Sequence, residues 1–138
     1  MFGKKKLERP KSALGIVLYD YDLIINNDLK NIIISIKLRK NLNPSRTGKI
    51  FDNISLKFEP YINDISKEKL KLDYRSDKAR DLIIEMMTKI KNLFEKIKKE
   101  NFDMKSPALG NIYSEFEYAF ALRETIRKKL RDIEYDYT

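Results

Sequence analysis

The stretch "KNIIISIKLRK", residues 30–40, decides between two descriptions of the first half of this chain. With a period of two, four apolar residues share one face of a strand: Ile32, Ile34, Ile36 and Leu38. With helical spacing, a different set shares one face: Leu29, Ile32, Ile33 and Ile36. Because a run of β-branched side chains favours extended backbone, we predict a strand here and keep a helix from Leu29 to Asn41 as the alternative.

Three other segments carry strand signals. The clearest is "FDNISLKFEP", residues 51–60, in which apolar and polar residues alternate and Pro60 marks an end or an edge. We expect a first strand in "ALGIVLYDYDLII", residues 13–25, before the turn signal "NND". A short fourth strand is expected in "EKLKLDY", residues 68–74. With residues 30–40, these segments predict an antiparallel meander of about four strands.

From Ser76 onward the apolar spacing becomes helical. Ser76 can cap a helix whose apolar stripe runs from Ala79 to Ile97. A second long helix follows, and it begins either at Ser106 or after Gly110. The sequence therefore predicts an α+β fold, in which an antiparallel sheet is followed by two long packed α-helices.

The length fits one domain behind a basic tail. We expect the flexible tail to cover residues 1–12 and the domain residues 13–138. Within the domain, the sheet part should span about residues 13–75 and the helical hairpin about residues 76–135.

Composition excludes many classes of function. The 138 residues include no cysteine and no histidine, which removes disulfides, thiol nucleophiles, imidazole bases and the usual zinc sites. The sequence shows no apolar run of the length that a signal peptide or a membrane span needs. We therefore expect an intracellular, cytoplasmic protein that is not an enzyme and binds no metal or other cofactor.

The charge balance points to a polyanionic partner. The formal net charge is +8 and the isoelectric point is about 9.5, and clustered cations gain free energy by releasing counterions from phosphates. The excess is concentrated in residues 1–12 and 37–57. Most of the cations are lysines, however, which a Lys-rich coding composition produces without selection for binding.

The segment "NPSRTGK", residues 43–49, resembles a fragment of a phosphate-binding loop. It fails as one, because Lys49 is followed by Ile50 instead of the Ser or Thr that would bind magnesium. Its other residues are typical of turns. We therefore predict a hairpin tip that displays Arg46 and Lys49.

The segment "YDYD", residues 19–22, leaves two orientations open. On a strand, Asp20 and Asp22 share one face, where two carboxylates are a weak signal for magnesium because no third acidic residue is paired with them. Tyr19 and Tyr21 share the other face. If the tyrosines point outward they form a stacking platform for bases among the cations; if they point inward they belong to the core.

The sequence favours a non-enzymatic nucleic-acid-binding protein that contacts phosphates through its tail, its hairpin tip and the basic sheet face, with single strands preferred. The residues assigned to this interface are Lys37, Arg39, Lys40, Arg46, Lys49, Lys57, Lys69, Lys71, Tyr19 and Tyr21. We keep a homodimer through overhanging helix ends as a hypothesis for this protein. The alternative function is a protein–protein assembly module that uses exposed apolar surface on the two long helices. Arg123, at the edge of the second apolar stripe, should either extend to solvent or pair with Glu85 or Glu95.

Overall fold

All the secondary structure that the computed structural model describes, over residues 13–66 and 74–136, is helical. The helices are α1 (Ala13–Ile24), α2 (Lys30–Lys37), α3 (Pro44–Ser66), α4 (Tyr74–Lys99) and α5 (Ile112–Asp136). A π-helical segment, Ile25–Leu29, joins α1 to α2 without interruption, so the described residues form four helical rods. These residues form no strand, and the predicted α+β fold with a four-stranded sheet is wrong.

Burial along α2 explains why residues 30–40 are helical. Leu29, Ile32 and Ile36 are buried, at spacings of three and four residues, whereas Ile34 is 49% exposed. A strand would have required Ile34 to share the buried face with Ile32 and Ile36. The helical alternative is therefore correct, although the helix ends at Lys37.

Residues 51–60, which were also predicted to form a strand, are helical for the same reason. Phe51, Ile54 and Phe58 are fully buried, again three and four residues apart, while Leu56 is 69% exposed. Pro60 lies inside α3 and has no N–H to donate to the carbonyl of Leu56. Because both of these residues are exposed, water can bond to that carbonyl.

The segment predicted as the first strand is α1. It buries residues at helical spacing: Leu14, Val17, Leu18, Tyr21 and Ile24. The wider π-helical turn then places Leu29 in the core, where α2 begins. The predicted fourth strand lies outside the described residues except for Tyr74, where α4 begins.

The helix predicted from Ser76 is present as α4, and it starts two residues earlier. Both predicted start signals of the second helix are used. Ser106 caps a short 3₁₀ turn, Pro107–Leu109, by accepting a hydrogen bond from the amide of Ala108. The long helix α5 starts two residues after Gly110.

The four rods share one hydrophobic core. Helix α4 packs against both α3 and α5, and the N-terminal rod contacts all three of these helices. A row of stacked and tilted rings links the connection after α4 to α3, α4 and α5: Phe102, Phe51, Phe94, Phe116 and Phe120. Short connections place the end of α2, the start of α3, the end of α4 and the start of α5 at the same end of the bundle.

Candidate polyanion-binding surface

The segment "NPSRTGK" forms the start of α3, and the predicted hairpin tip is wrong. Asn43 caps the helix, because its side-chain oxygen accepts a hydrogen bond of 2.9 Å from the amide of Arg46. Pro44 occupies the first helical position, where its missing N–H costs nothing. The amide of Thr47 then donates to the carbonyl of Asn43, also at 2.9 Å. The residues that resemble a turn are therefore a helix cap.

Gly48 lies inside α3 and not in a turn. A Cβ atom on Gly48 would lie 3.5 Å from the ring of Phe102, in the connection after α4. Asn101 and Phe102 have left-handed backbone, with φ values of 54° and 60°. The turn that they form brings the Phe102 ring against α3, so this contact joins the connection after α4 to the start of α3.

Five exposed cations lie where α2 ends and α3 begins, and we call them the 37–49 cluster: Lys37, Arg39, Lys40, Arg46 and Lys49. Two backbone hydrogen bonds hold the turn between the helices, from the amide of Arg39 to the carbonyl of Ile36 and from the amide of Lys40 to the carbonyl of Ser35. Arg39 itself has left-handed backbone, with φ of 53°. The turn therefore fixes the backbone that carries these cations.

None of these five cations has an ion pair within the described part of the chain. The Arg39 guanidinium donates a hydrogen bond of 3.3 Å to the backbone carbonyl of Gly110. The Lys37 ammonium lies 5.8 Å from the ring centre of Tyr113. These contacts orient the two side chains but leave their charges unneutralised.

Cations along the body of the bundle are arranged differently, because many of them pair with carboxylates of neighbouring helices. The pairs between helices include Lys91 with Glu59 at 2.9 Å and Lys96 with Glu115 at 3.1 Å. Lys98 bonds to Asp52, and this hydrogen bond is the main reason that the pKa of Lys98 is raised. Asp52 lies one turn after Lys49 on α3, but its carboxylate pairs with Lys98.

The start of α3 adds to the positive potential of the cluster. The first turn of this helix contains no acidic residue, and a helix N-terminus carries a partial positive charge. Arg46 and Lys49 thus lie where cations are disfavoured unless an anion is near. The two cations and the helix N-terminus therefore add to the positive potential at the same place.

The other residues assigned to the interface do not join this cluster. Lys57 pairs with Asp28 at 2.8 Å. Tyr21 is 2% exposed, and burial together with the charge of Asp22 raises the pKa of its hydroxyl. Tyr19 is half-buried beside α5. Lys69 and Lys71 lie outside the described residues, as does the tail.

The two orientations weighed for "YDYD" both assumed a strand. Residues two apart on a helix point in nearly opposite directions, so Tyr19 and Tyr21 cannot share one face. Tyr21 packs on Phe58, with ring centres 5.9 Å apart. The predicted stacking platform of two tyrosines is therefore wrong.

Asp20 and Asp22 bond to protein groups of other helices. The Tyr61 hydroxyl donates to Asp20 at 2.8 Å. Arg123 donates two hydrogen bonds to Asp22, of 3.0 and 2.6 Å, and these raise the pKa of the guanidinium. Arg123 thus pairs with α1, not with Glu85 or Glu95. No group of three or more acidic side chains in the described residues is placed to hold a metal ion.

Comparison with known proteins identifies no relative: no family model, no curated protein and no solved structure matches this chain. Among the helices of the described ranges, none has the length and apolar character to cross a membrane.

Proposed function

We propose that this protein binds the phosphate backbone of nucleic acid, inside the cell and without a catalytic step, through the 37–49 cluster. The observation that carries the proposal is the contrast in pairing. Five cations along the bundle pair with carboxylates of other helical segments, whereas the five exposed cations that lie together in the 37–49 cluster have no such pair among the described residues. Such a surplus favours a polyanion, because binding releases the counterions that surround the phosphates.

The chemistry of the cluster supports recognition of the backbone and not of bases. Lysine and arginine side chains bind phosphate oxygens through charge and N–H donors, and such contacts carry no sequence information. The two tyrosines expected to stack on bases do not form a platform, and without stacking rings the cluster has no basis for preferring single strands to duplex. The predicted interface is small, exposed and electrostatic.

The salt dependence of binding tests this proposal. The Arg46→Ala, Lys49→Ala double variant removes up to two phosphate contacts. The slope of log K against log salt should fall by about 1.4 for a single strand and by about 1.8 for a duplex. Fluorescence anisotropy with labelled oligonucleotides of unrelated sequences, between 50 and 200 mM salt, measures this slope. The effect should not depend on base sequence.

A matched control removes the same formal charge elsewhere. Lys78 on α4 and Lys128 on α5 are exposed and distant from the cluster along the chain, and the Lys78→Ala, Lys128→Ala variant should leave the slope nearly unchanged. Equal weakening by both double variants would show that net charge alone determines affinity. No weakening by either would remove the cluster from the interface.

The alternative function is a protein–protein assembly module. On the two long helices, the described residues expose one large apolar side chain, Tyr118, whereas α2 and its end expose Ile34 and Leu38 one turn apart. This pair favours α2 over the long helices as a protein-binding surface. Loss of a complex on Leu38→Ser substitution, with nucleic-acid binding absent, would favour this alternative.

A further inference from the structure

A second basic site lies in a groove between α1 and α5, towards the opposite end of the bundle from the 37–49 cluster. Its cavity has a volume of about 290 Å³, close to the lower end of the range for small-molecule sites. The lining residues are Gly15, Leu18, Tyr19, Asp22, Arg123, Arg127, Leu130 and Arg131. From Tyr19 to Lys40 the helical rise is about 30 Å, so the two basic regions are separate.

Three arginines line one side of this groove at four-residue spacing: Arg123, Arg127 and Arg131. Successive members are about 6 Å apart along the axis of α5. Asp22 and Glu124 bond to the first two of them. Arg131 is exposed and has no carboxylate partner among the described residues. Each guanidinium has five N–H donors, so this side of the groove has more donors than its two carboxylates occupy.

The other lining residues include apolar side chains, and these restrict the kind of ligand that fits the groove. Leu18 and Leu130 are buried, and the ring of Tyr19 is half-buried. A free inorganic anion would contact the arginines but would leave the half-buried ring of Tyr19 uncovered. An anion that carries an apolar or aromatic group would cover both parts of the groove.

We propose that the α1/α5 groove binds a phosphate monoester, with its phosphate on Arg127 and Arg131 and its organic group against the ring of Tyr19. The planar fork of arginine matches phosphate oxygens in pairs, which lysine does not. Asp22 keeps Arg123 in place at the inner side of the groove. This inference does not rest on the proposed function, because it concerns different residues at a different end of the bundle.

Isothermal titration with adenosine monophosphate, inorganic phosphate and adenosine tests the site. Adenosine monophosphate should bind more tightly than either of its parts. The Arg127→Ala, Arg131→Ala variant should bind it roughly tenfold to hundredfold more weakly, as expected for losing hydrogen bonds to a charged group. Binding of adenosine equal to that of the monophosphate would overturn the proposal.

The chain offers a control on the same turn of α5. The Lys128→Ala, Lys129→Ala variant removes two positive charges from neighbouring residues that do not line the groove, and it should retain binding within about twofold. An equal loss in both double variants would mean that the ligand responds to charge and not to the groove. Circular dichroism melts of both variants check that each remains folded.

A third variant should act in the opposite direction. Glu124 binds Arg127 and therefore competes with the phosphate for it. The hydrogen bond from Arg127 is the main reason that the pKa of Glu124 is lowered. Glu124→Gln removes this competing charge at an exposed position, so the affinity for adenosine monophosphate should rise a few-fold. Unchanged or weaker binding would contradict the assignment of the phosphate to Arg127.

Oligonucleotides distinguish a free monoester from the end of a nucleic-acid strand. They are compared with and without a 5′-phosphate, using Arg46→Ala, Lys49→Ala protein, so that the 37–49 cluster contributes little. If the 5′-phosphate raises the affinity and Arg127→Ala, Arg131→Ala abolishes that rise, the groove binds the end of a strand. If only the mononucleotide binds, the ligand is a free monoester. If neither binds, the groove proposal fails, whatever the cluster does.

Discussion

Arg123 and Arg46 represent two uses of the same side chain in one small protein. Arg123 lies half-buried between α1 and α5, where it donates two hydrogen bonds to Asp22. Arg46 lies exposed on the first turn of α3, without an ion pair among the described residues. The first arginine satisfies a carboxylate of another helix, and the second leaves its charge for a partner.

The difference shows how a high net charge should be interpreted. A cation between helices contributes mainly to the stability of the bundle, and its removal leaves a partly buried carboxylate unpaired. A cation in the 37–49 cluster contributes little to stability, and its removal should affect binding. Substitutions in the two regions should therefore change different measurements.

The largest expected effect concerns the core between α1 and α3. Tyr21→Ala removes a 2% exposed ring that packs on Phe58, and it should lower the free energy of unfolding by about 3–5 kcal/mol. Urea denaturation measures the loss. Tyr118→Ala is the control, because that ring is 59% exposed, and it should cost less than about 0.5 kcal/mol. A similar small cost for Tyr21 would place it on the surface.

The next effect concerns the ion pair itself. Asp22→Ala removes the two hydrogen bonds that Arg123 donates to Asp22. The side chains of Arg123 and Asp22 are 33% and 30% exposed, respectively. Solvent at this depth reduces the penalty, so we expect a loss of about 1–2 kcal/mol. Asp81→Ala is the control: its side chain is 69% exposed and pairs with Arg80, and removing it should cost less than about 0.5 kcal/mol.

A double-mutant cycle separates the pair from its surroundings. Asp22→Ala and Arg123→Ala should be strongly non-additive, because each removes the same interaction. Additive losses would show that the two side chains stabilise the bundle independently. In that case the contrast between paired and unpaired arginines would not explain the distribution of charge.

Gly48→Ala tests the scaffold of the cluster. The added Cβ would lie 3.5 Å from the Phe102 ring, which is an ordinary contact distance. Alanine is also the better helix former, so the free energy of unfolding should rise by roughly 0.5–1 kcal/mol. Gly110→Ala is the comparison, because its Cβ would lie 3.3 Å from the Pro107 carbonyl, and it should gain less. A loss at Gly48 would indicate a turn instead of a helix.

The sequence predicts the second half of the fold better than the first, for a physical reason. In α4 the buried residues from Ala79 to Ile97 follow helical spacing alone. In residues 30–40 and 51–60, alternation and helical spacing fit the same letters. Ile34 and Leu56 complete the strand pattern, but both point to solvent. Only packing against the other rods decides which spacing is buried.

The candidate sites show a similar division. Charge density along the chain locates the 37–49 cluster, because all five cations lie within thirteen residues. The pair of Asp22 and Arg123 joins residues 101 positions apart, and no local spacing in the sequence predicts it. The expectation that Arg123 extends to solvent or pairs with Glu85 or Glu95 followed from placing Asp22 on a sheet.

The smallest effect on stability is expected where the largest effect on binding is proposed. Arg46 and Lys49 lie in the first two turns of α3, near the positive end of the helix dipole. Replacing both by Ala should therefore leave the free energy of unfolding unchanged or raise it by up to about 0.5 kcal/mol. Because this repulsion is electrostatic, any gain should shrink as salt increases. Urea denaturation at low and high salt measures it, alongside the anisotropy titrations. A stability loss of more than about 1 kcal/mol would mean that these cations hold the fold, as Arg123 does, and that weaker binding by the variant reports partial unfolding instead of a lost phosphate contact.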